Sequence, residues 1–456
     1  MANRLSASEQ QYNRMMETPI PKLVTSLAIP TTISMLITVI YNTADTYFVS
    51  QIDKSASAAV GAVFSIMSII QAIGFGLGMG SGSLISRKLG AKENEAANMY
   101  STSAFFAALL VGGLIGIAGL LFLKPFLTLL GCSKTMMPHA TPYAKYILIA
   151  APISCATFVL NNTLRSEGYS KLSTIGMSIG GILNVILDPI FIFSLKMGTG
   201  GAALATMVSQ IVSFCILLSF FIFDKSIVKI HLKYISRKFA DYKSIITTGL
   251  PTICRQGLGS VAAAALNVQA ITYGGDAAGA AITISNKIYI LVRNLVMGLG
   301  QGFQPVAGYN YGAGNKNRAW ESFVFATKVG SVMCIFFAAV TAIFASPIMW
   351  WFCNDAEVAK IGIQTLYLNS AILPFLAFST YVNQLYQCLG FKGQATFLAS
   401  CRQGIFFLPA VVLLPLAIGC LGVQAAQPIG DLCTFLISIP FIIRFYKRYI
   451  NEKPAV

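Results

Sequence analysis

Long apolar runs broken by short polar stretches fill the chain from residue 23 to residue 443. They cover 23–50, 56–83, 98–123, 141–162, 172–195, 200–223, 244–273, 278–305, 321–346, 358–388, 395–418 and 421–443. Each approaches or exceeds the roughly 20 residues a helix needs to cross the hydrocarbon core of a bilayer. In lipid a spanning helix satisfies its own backbone hydrogen bonds. The pattern therefore predicts an all-α polytopic membrane protein with twelve transmembrane helices. Residues 1–22 and 444–456 are polar and read as tails, and the start has no cleavable-signal pattern. The longest connection, 224–243, is basic and predicts a linker between two six-helix lobes, 23–223 and 244–443.

Composition strengthens that picture. The 456 residues are 55% hydrophobic and 11% charged, which excludes an ordinary soluble domain. A net charge of +16 would suit nucleic acid, but the basic residues sit in short loops between apolar runs, so no nucleic-acid partner is expected. The N-terminal tail, the even-numbered loops and the C-terminal tail hold 21 of the 32 lysines and arginines. The odd-numbered loops hold about five: Lys54, Lys124, Lys134, Lys196 and Lys360. The positive-inside bias then predicts a multi-pass protein of the cytoplasmic membrane with both termini cytoplasmic. The ten cysteines are scattered singly with no CxxC pair, and read as small packing residues. His139 and His231 lie near the ends of apolar runs without ligand-like neighbours. With no Ser/His or Cys/His arrangement and no metal motif, neither an enzyme nor a cofactor is expected.

The two halves repeat. Gly76-Leu-Gly78 matches Gly298-Leu-Gly300 at an offset of 222, and Gly90, Ala91 and Ala97 match Gly312, Ala313 and Ala319 at the same offset. Near that offset the run before Thr31 ends in Pro30 as the run before Thr252 ends in Pro251. Six helices per half is an even number, so both halves enter the membrane in the same direction. A pseudo-two-fold axis along the membrane normal follows, with a cavity between or within the lobes. Glycines four apart (Gly74, Gly78, Gly82) suit close helix packing rather than a phosphate loop, because no strand precedes them.

Candidate chemistry comes from charges inside the runs. Asp45 and Asp188 each sit within a stretch long enough to span. A carboxylate at membrane depth needs a partner, a water-filled cavity or a proton. Asn184 and Asp188 are four residues apart and share a helix face. Pro189 follows and frees a main-chain carbonyl beside them. Such oxygens suit a small hard cation or a held proton; a kink with a polar cap is the plainer alternative. The offset of 222 places Asn267 opposite Asp45, which confines the acidic site to the first half. The second half carries Arg255, Lys287, Arg293, Arg402 and Asp431 within or beside its runs. Asp431 is expected to pair with Arg255, with Arg402 as the other candidate, either as a structural bridge or as a device that shapes cavity charge. Methionines and aromatics stud the runs and would suit either a permissive cavity or plain packing.

Several segments together resemble the multidrug and toxic compound extrusion (MATE) family. They are Ala28-Ile-Pro30, Tyr41-Asn-Thr-Ala-Asp45, the run from Leu84 to Ala91, Leu164-Arg-Ser-Glu-Gly168 and the run from Leu183 to Ile190. The resemblance covers nearly the whole chain and is strongest to the bacterial and archaeal branch with its acidic site in the N-lobe. It implies a monomeric, V-shaped, two-lobed antiporter that exports amphipathic, often cationic drugs in exchange for H⁺ or Na⁺. By motif position it implies a cation or proton site at Asp45, Asn184, Asp188 and Thr206, where Na⁺ would bind, with Tyr143 nearby and Glu167 as a cytoplasmic-side acid. The acidic pair that another branch carries in the C-lobe is not evident near Arg255. A lipid-linked-precursor flippase of related fold is the alternative, since basic C-lobe residues would suit a pyrophosphate.

Overall fold

The computed structural model describes residues 6–450; Arg4 and Lys453, counted above in the charge pattern, lie outside the described residues. The described residues are overwhelmingly helical and contain no strand. A Ser6–Glu9 capping box opens the short α1 (Ala7–Glu17). The N-lobe follows as α2 (Ile20–Ser50), α3 (Lys54–Gly90), α4 (Asn94–Leu121), the short α5 (Leu123–Leu129), α6 (Met137–Ser166), α7 (Ser170–Pro189) and α8 (Gly198–Ile222). The C-lobe is α9 (Phe239–Gly312), α10 (Lys316–Ile343), the short α11 (Ala345–Phe352), α12 (Ala356–Leu389), α13 (Lys392–Ser400), α14 (Leu408–Ile418) and α15 (Cys420–Phe445). A π-helical stretch, Cys401–Phe407, joins α13 to α14, so the two form one crossing helix.

Ten of these helices are long and apolar enough to cross a membrane. The other two crossings are the lengths of α9, which runs 74 residues and is broken at Gly275, with φ 64° and ψ −166°. The sequence separates these lengths into 244–273 and 278–305 with a connection between them; the structure replaces the connection with one residue. Positive φ there favours glycine. Crossing helices also begin a few residues earlier than their apolar runs, because polar residues continue the helix past the hydrocarbon core. Asp53, Asn315 and Asp355 mark such starts by accepting hydrogen bonds from backbone N–H groups of the first turn.

The repeat is built into helix starts. Asn94 and Lys316, Leu123 and Ala345, Ser170 and Lys392, and Gly198 and Cys420 each begin helices 222 residues apart. Turn conformations follow the same offset: Lys92 and Gly314 have φ of 60° and 82°, and Gly168 and Gly390 have φ of 87° and 90°. The result is the twelve-helix, two-lobe fold.

The lobes meet through main chain. A Cβ on Gly76 would strike Ile253 and one on Gly249 would strike the carbonyl of Gly76, so α3 and the first length of α9 touch backbone to backbone. Across the pseudo-axis, Gly298 and Gly302 lie against Thr32 and Ala28 of α2, and Thr31 Oγ1 donates to the Gly298 carbonyl at 2.7 Å. Arg87 Nη1 donates to the Leu389 carbonyl at 3.2 Å, and Arg165 donates to Gln301. All of these contacts lie toward the end of the bundle that carries α1 and the end of α15. Asp45 lies 14 residues beyond Thr31, about 21 Å further along α2 at 1.5 Å per residue.

This packing makes a contrast testable. Gly249→Ala forces a methyl into facing backbone and is expected to destabilise by about 1–3 kcal/mol despite alanine's better helix propensity. Gly257→Ala lies on the same helix with open space around it and is expected to be neutral or stabilising. Thermal unfolding of the detergent-solubilised pair checks this; equal midpoints for both variants would show that the seam tolerates side chains.

Candidate functional site

Four N-lobe helices converge on the acidic residues. Gly180 and Gly181 let α7 nest between its neighbours: a Cβ at Gly181 would press on Ile37 and Tyr41 of α2, and one at Gly180 on Ser209 and Ser213 of α8. That nesting brings Asp45 of α2 and Asn184 and Asp188 of α7 toward Thr206 of α8, with Tyr143 of α6 reaching in from behind. Asn184 Nδ2 donates to Asp188 Oδ1 and to Thr206 Oγ1, each at 3.3 Å. The Tyr143 hydroxyl donates to Asp45 Oδ2 at 3.4 Å and lies 3.6 Å from the Met67 sulfur. Asp188, Asn184 and Tyr143 are buried, and Asp45 is half-buried.

The structure thus brings together all five residues that the sequence and the resemblance single out. It places the two acids nearer the far ends of their helices than the midpoints: Asp45 is five residues before Ser50, and Asp188 is next to the last residue of α7. After Pro189 the chain widens into a π-helical turn, Ile190–Ser194, as expected where proline withholds a hydrogen bond.

The electrostatics are one-sided. The two carboxylates lie within reach of one another's charge, and Tyr143 feels both. Among the described residues no basic side chain pairs with either. Asp45 Oδ1, Asn184 Oδ1 and Asp188 Oδ2 are buried oxygens without a hydrogen-bond donor. Two carboxylates, an amide oxygen and a hydroxyl make a hard oxygen set that fits a small cation. The same set fits a proton shared by the acids.

Glu167 stands apart. It lies in the turn between α6 and α7, at the closed end of the lobes. Its carboxylate accepts from the Ser226 hydroxyl at 2.7 and 2.9 Å and from the Ile227 N–H at 2.8 Å, while Gln11 Nε2 donates to its main-chain carbonyl at 2.9 Å. Full burial pushes its carboxyl up to about 8, against the opposing pull of those hydrogen bonds. Glu167 therefore braces α1 and the chain after α8, rather than lining the N-lobe site.

The C-lobe corrects one expectation. Asp431 does not pair with Arg255. Its partner is Arg402, whose Nε donates to Asp431 Oδ1 at 2.7 Å, and the Tyr289 hydroxyl joins both. Arg255 instead donates to Asn383 Oδ1 at 3.3 Å and Thr252 Oγ1 at 3.4 Å. Spacing could not separate the two arginines, because the choice depends on which faces of α9 and α15 meet across the lobe. Tyr289 and Met67 carry no sequence signal that distinguishes them from other residues of the apolar runs.

With this geometry in hand, the MatE family pattern matches residues 30–190 and again 251–412. The chain belongs to the MatE family. The two matched segments begin 221 and end 222 residues apart, and each covers the first five crossing helices of its lobe. The first segment contains Asp45, Tyr143, Asn184 and Asp188; the second contains Arg255 and Arg402. A similar relative is the multidrug export protein MepA of Staphylococcus haemolyticus (strain JCSC1435), 26% identical over 432 residues that cover 94% of each chain. Among solved structures, a multidrug resistance MATE family transporter of the MOP superfamily in an outward-facing conformation superposes with a TM-score of 0.90. It is 26% identical and covers 98% of this chain and 99% of its own. A MOP superfamily transporter from Pyrococcus furiosus Vc1, whose binding pocket is described as of reverse polarity, also gives a TM-score of 0.90. It is 26% identical, with 98% and 100% coverage. This MatE protein is accordingly a multi-pass membrane transporter.

Two outcomes follow from the bonded groups. Asp431→Asn or Arg402→Gln alone leaves a buried charge unpaired and is expected to cost roughly 3–5 kcal/mol, with the double variant milder than either. A double-mutant cycle on thermal unfolding reads the coupling, and additive effects would dissolve the pair. For Glu167, the folded chain keeps a proton up to about pH 8 that the unfolded chain releases near 4.5. Stability should therefore fall as pH rises across that interval. Unfolding midpoints taken between pH 5 and pH 8 should show a decline that Glu167→Gln reduces.

Proposed function

We propose that this MatE protein is a secondary antiporter that exports amphipathic, often cationic drugs in exchange for H⁺ or Na⁺. The observation that carries the reading is the N-lobe pair Asp45 and Asp188, with three donor-free oxygens and no basic partner. Two such groups on separate helices repel until one is neutralised. A proton or Na⁺ at the pair removes the repulsion and lets α2 and α7 approach. A cationic drug held by the same carboxylates is then released. Coupling of this kind requires only that the ion bind the two arrangements with different affinity. The names of the relatives support drug export as the activity. The charge pattern of the loops supports cytoplasmic termini, with lobes over 23–223 and 244–443 joined by 224–243. The lipid-precursor flippase draws on C-lobe arginines but gives the N-lobe acids no task, so export is the reading we hold.

Asp45→Asn and Asp188→Asn are each expected to abolish gradient-driven dye export from proteoliposomes while leaving insertion and folding intact. Varying the pH and sodium gradients separately identifies the coupling ion. Measured by fluorescence anisotropy, raising proton or sodium concentration should weaken binding of a cationic dye to the wild type and leave Asp45→Asn indifferent. Wild-type export by either variant would sink the site assignment.

A further inference from the structure

The N-lobe chemistry leaves the second lobe's charges without a role. Arg255, Arg293 and Arg402 lie within reach of one another's charge. One carboxylate, Asp431, accompanies them, and Arg402 with Tyr289 already engages it. The other acids of the lobe are Asp241, held by Ser236 at the start of α9, and Asp276, Glu321, Asp355 and Glu357, which are exposed. Arg255 has only neutral oxygens as partners, and Arg293 makes no hydrogen bond or ion pair among the described residues. Two guanidiniums therefore stand uncompensated in a lobe that crosses a membrane, where a charge requires a counter-charge or water.

A cavity lies one turn away along the helix that carries Arg293. Asn286 and Tyr289 line it, together with Asn369, Gln424 and Gln427 from α12 and α15. Arg293 lies four residues past Tyr289 and seven past Asn286, so it continues the same helix face. Leu291, two residues earlier, is turned to the exposed outside of the lobe. Both Arg255 and Arg293 are half-buried rather than sealed in. The side-chain amides of Asn383, beside Arg255, and of the cavity lining can turn to present N–H or C=O to a guest.

We propose that the C-lobe holds an anion subsite, in which Arg255 and Arg293 take the carboxylate or phosphate of an amphipathic compound. A guanidinium suits this task because its planar fork matches both anions with paired N–H donors. Together with the N-lobe acids, the subsite selects molecules that carry an anionic as well as a cationic group. That wider selection rests on the export reading; the subsite itself is a matter of binding.

The test uses the full chain in phosphatidylcholine nanodiscs and two fluorescent probes, rhodamine 110 and its methyl ester rhodamine 123, which differ in a free carboxylate. Fluorescence anisotropy should show the free acid bound about tenfold tighter or more, as expected for one added charge-assisted contact. Arg255→Gln and Arg293→Gln should remove that preference while leaving the ester within about twofold of wild type. Arg293→Lys, which keeps charge without the fork, should retain part of it. Equal affinity for acid and ester in the wild type overturns the subsite, and so does a loss shared equally by both probes in the arginine variants. If a glutamine variant fails to fold, the wild-type comparison and Arg293→Lys still decide. Phosphatidylglycerol in the nanodisc separates sources: competition with the free acid marks a lipid headgroup as occupant, and indifference marks a soluble amphiphile. A retained acid preference in a protein that exports neither dye would overturn the export reading and leave the subsite standing.

Discussion

A charge held at membrane depth must find a counter-charge, a cavity or an ion, and both lobes are arranged around that constraint. In the N-lobe two carboxylates and an amide gather where α2, α7 and α8 converge, with tyrosine the single donor to Asp45 among the described residues. In the C-lobe a carboxylate is neutralised by one arginine and steadied by a tyrosine. Two of the helices that carry these groups widen into π-helical turns beside them. Ile190–Ser194 follows Asp188, and Cys401–Phe407 contains Arg402. Local widening of a helix turns a side chain without moving the rest of the span, which is why such turns accompany functional residues.

The duplicated frame shows how opposite chemistry was placed on one scaffold. At the offset of 222, Gly180 corresponds to Arg402 and Ser209 to Asp431. In the first lobe the glycine simply packs against Ser209 across the α7–α8 contact. In the second lobe the same two positions hold the ion pair. Conversely Asp45 meets Asn267, and Asp188 meets Ala410. The helix starts and the left-handed turns were retained, and the side chains facing each lobe interior were exchanged.

Much of this was legible from residue order. Twelve apolar runs gave the spans, and the Gly-Leu-Gly and Gly-Ala matches gave the repeat, since span length and turn glycines are local properties. The acids and Asn184 were legible because a carboxylate inside an apolar run has few plain explanations. Thr206 and Tyr143 needed the family resemblance, as nothing in their immediate surroundings separates them from ordinary spanning residues. Long-range choices were not legible. Arg402 rather than Arg255 for Asp431 depends on helix rotation, and the sharp bend at Gly275 depends on one backbone angle. Glu167 illustrates the same limit: its partners, Ser226 and Ile227, lie about sixty residues away in a segment that reads as a basic linker.

The seam between the lobes has a mechanical meaning of its own. Gly76, Gly249, Gly298 and Gly302 bring helix backbones into contact, and side chains such as Ile253, Thr31 and Arg87 reach across the seam to the opposite lobe. Around these contacts Leu23, Val24, Leu27, Ile85 and Leu89 pack with Val296, Leu299 and Phe303 in one buried cluster, so parting the seam uncovers apolar surface from both lobes. Each tenfold difference in an ion's affinity for two arrangements supplies about 1.4 kcal/mol. On the proposed coupling, that difference in affinity has to offset the apolar surface that parting the seam uncovers.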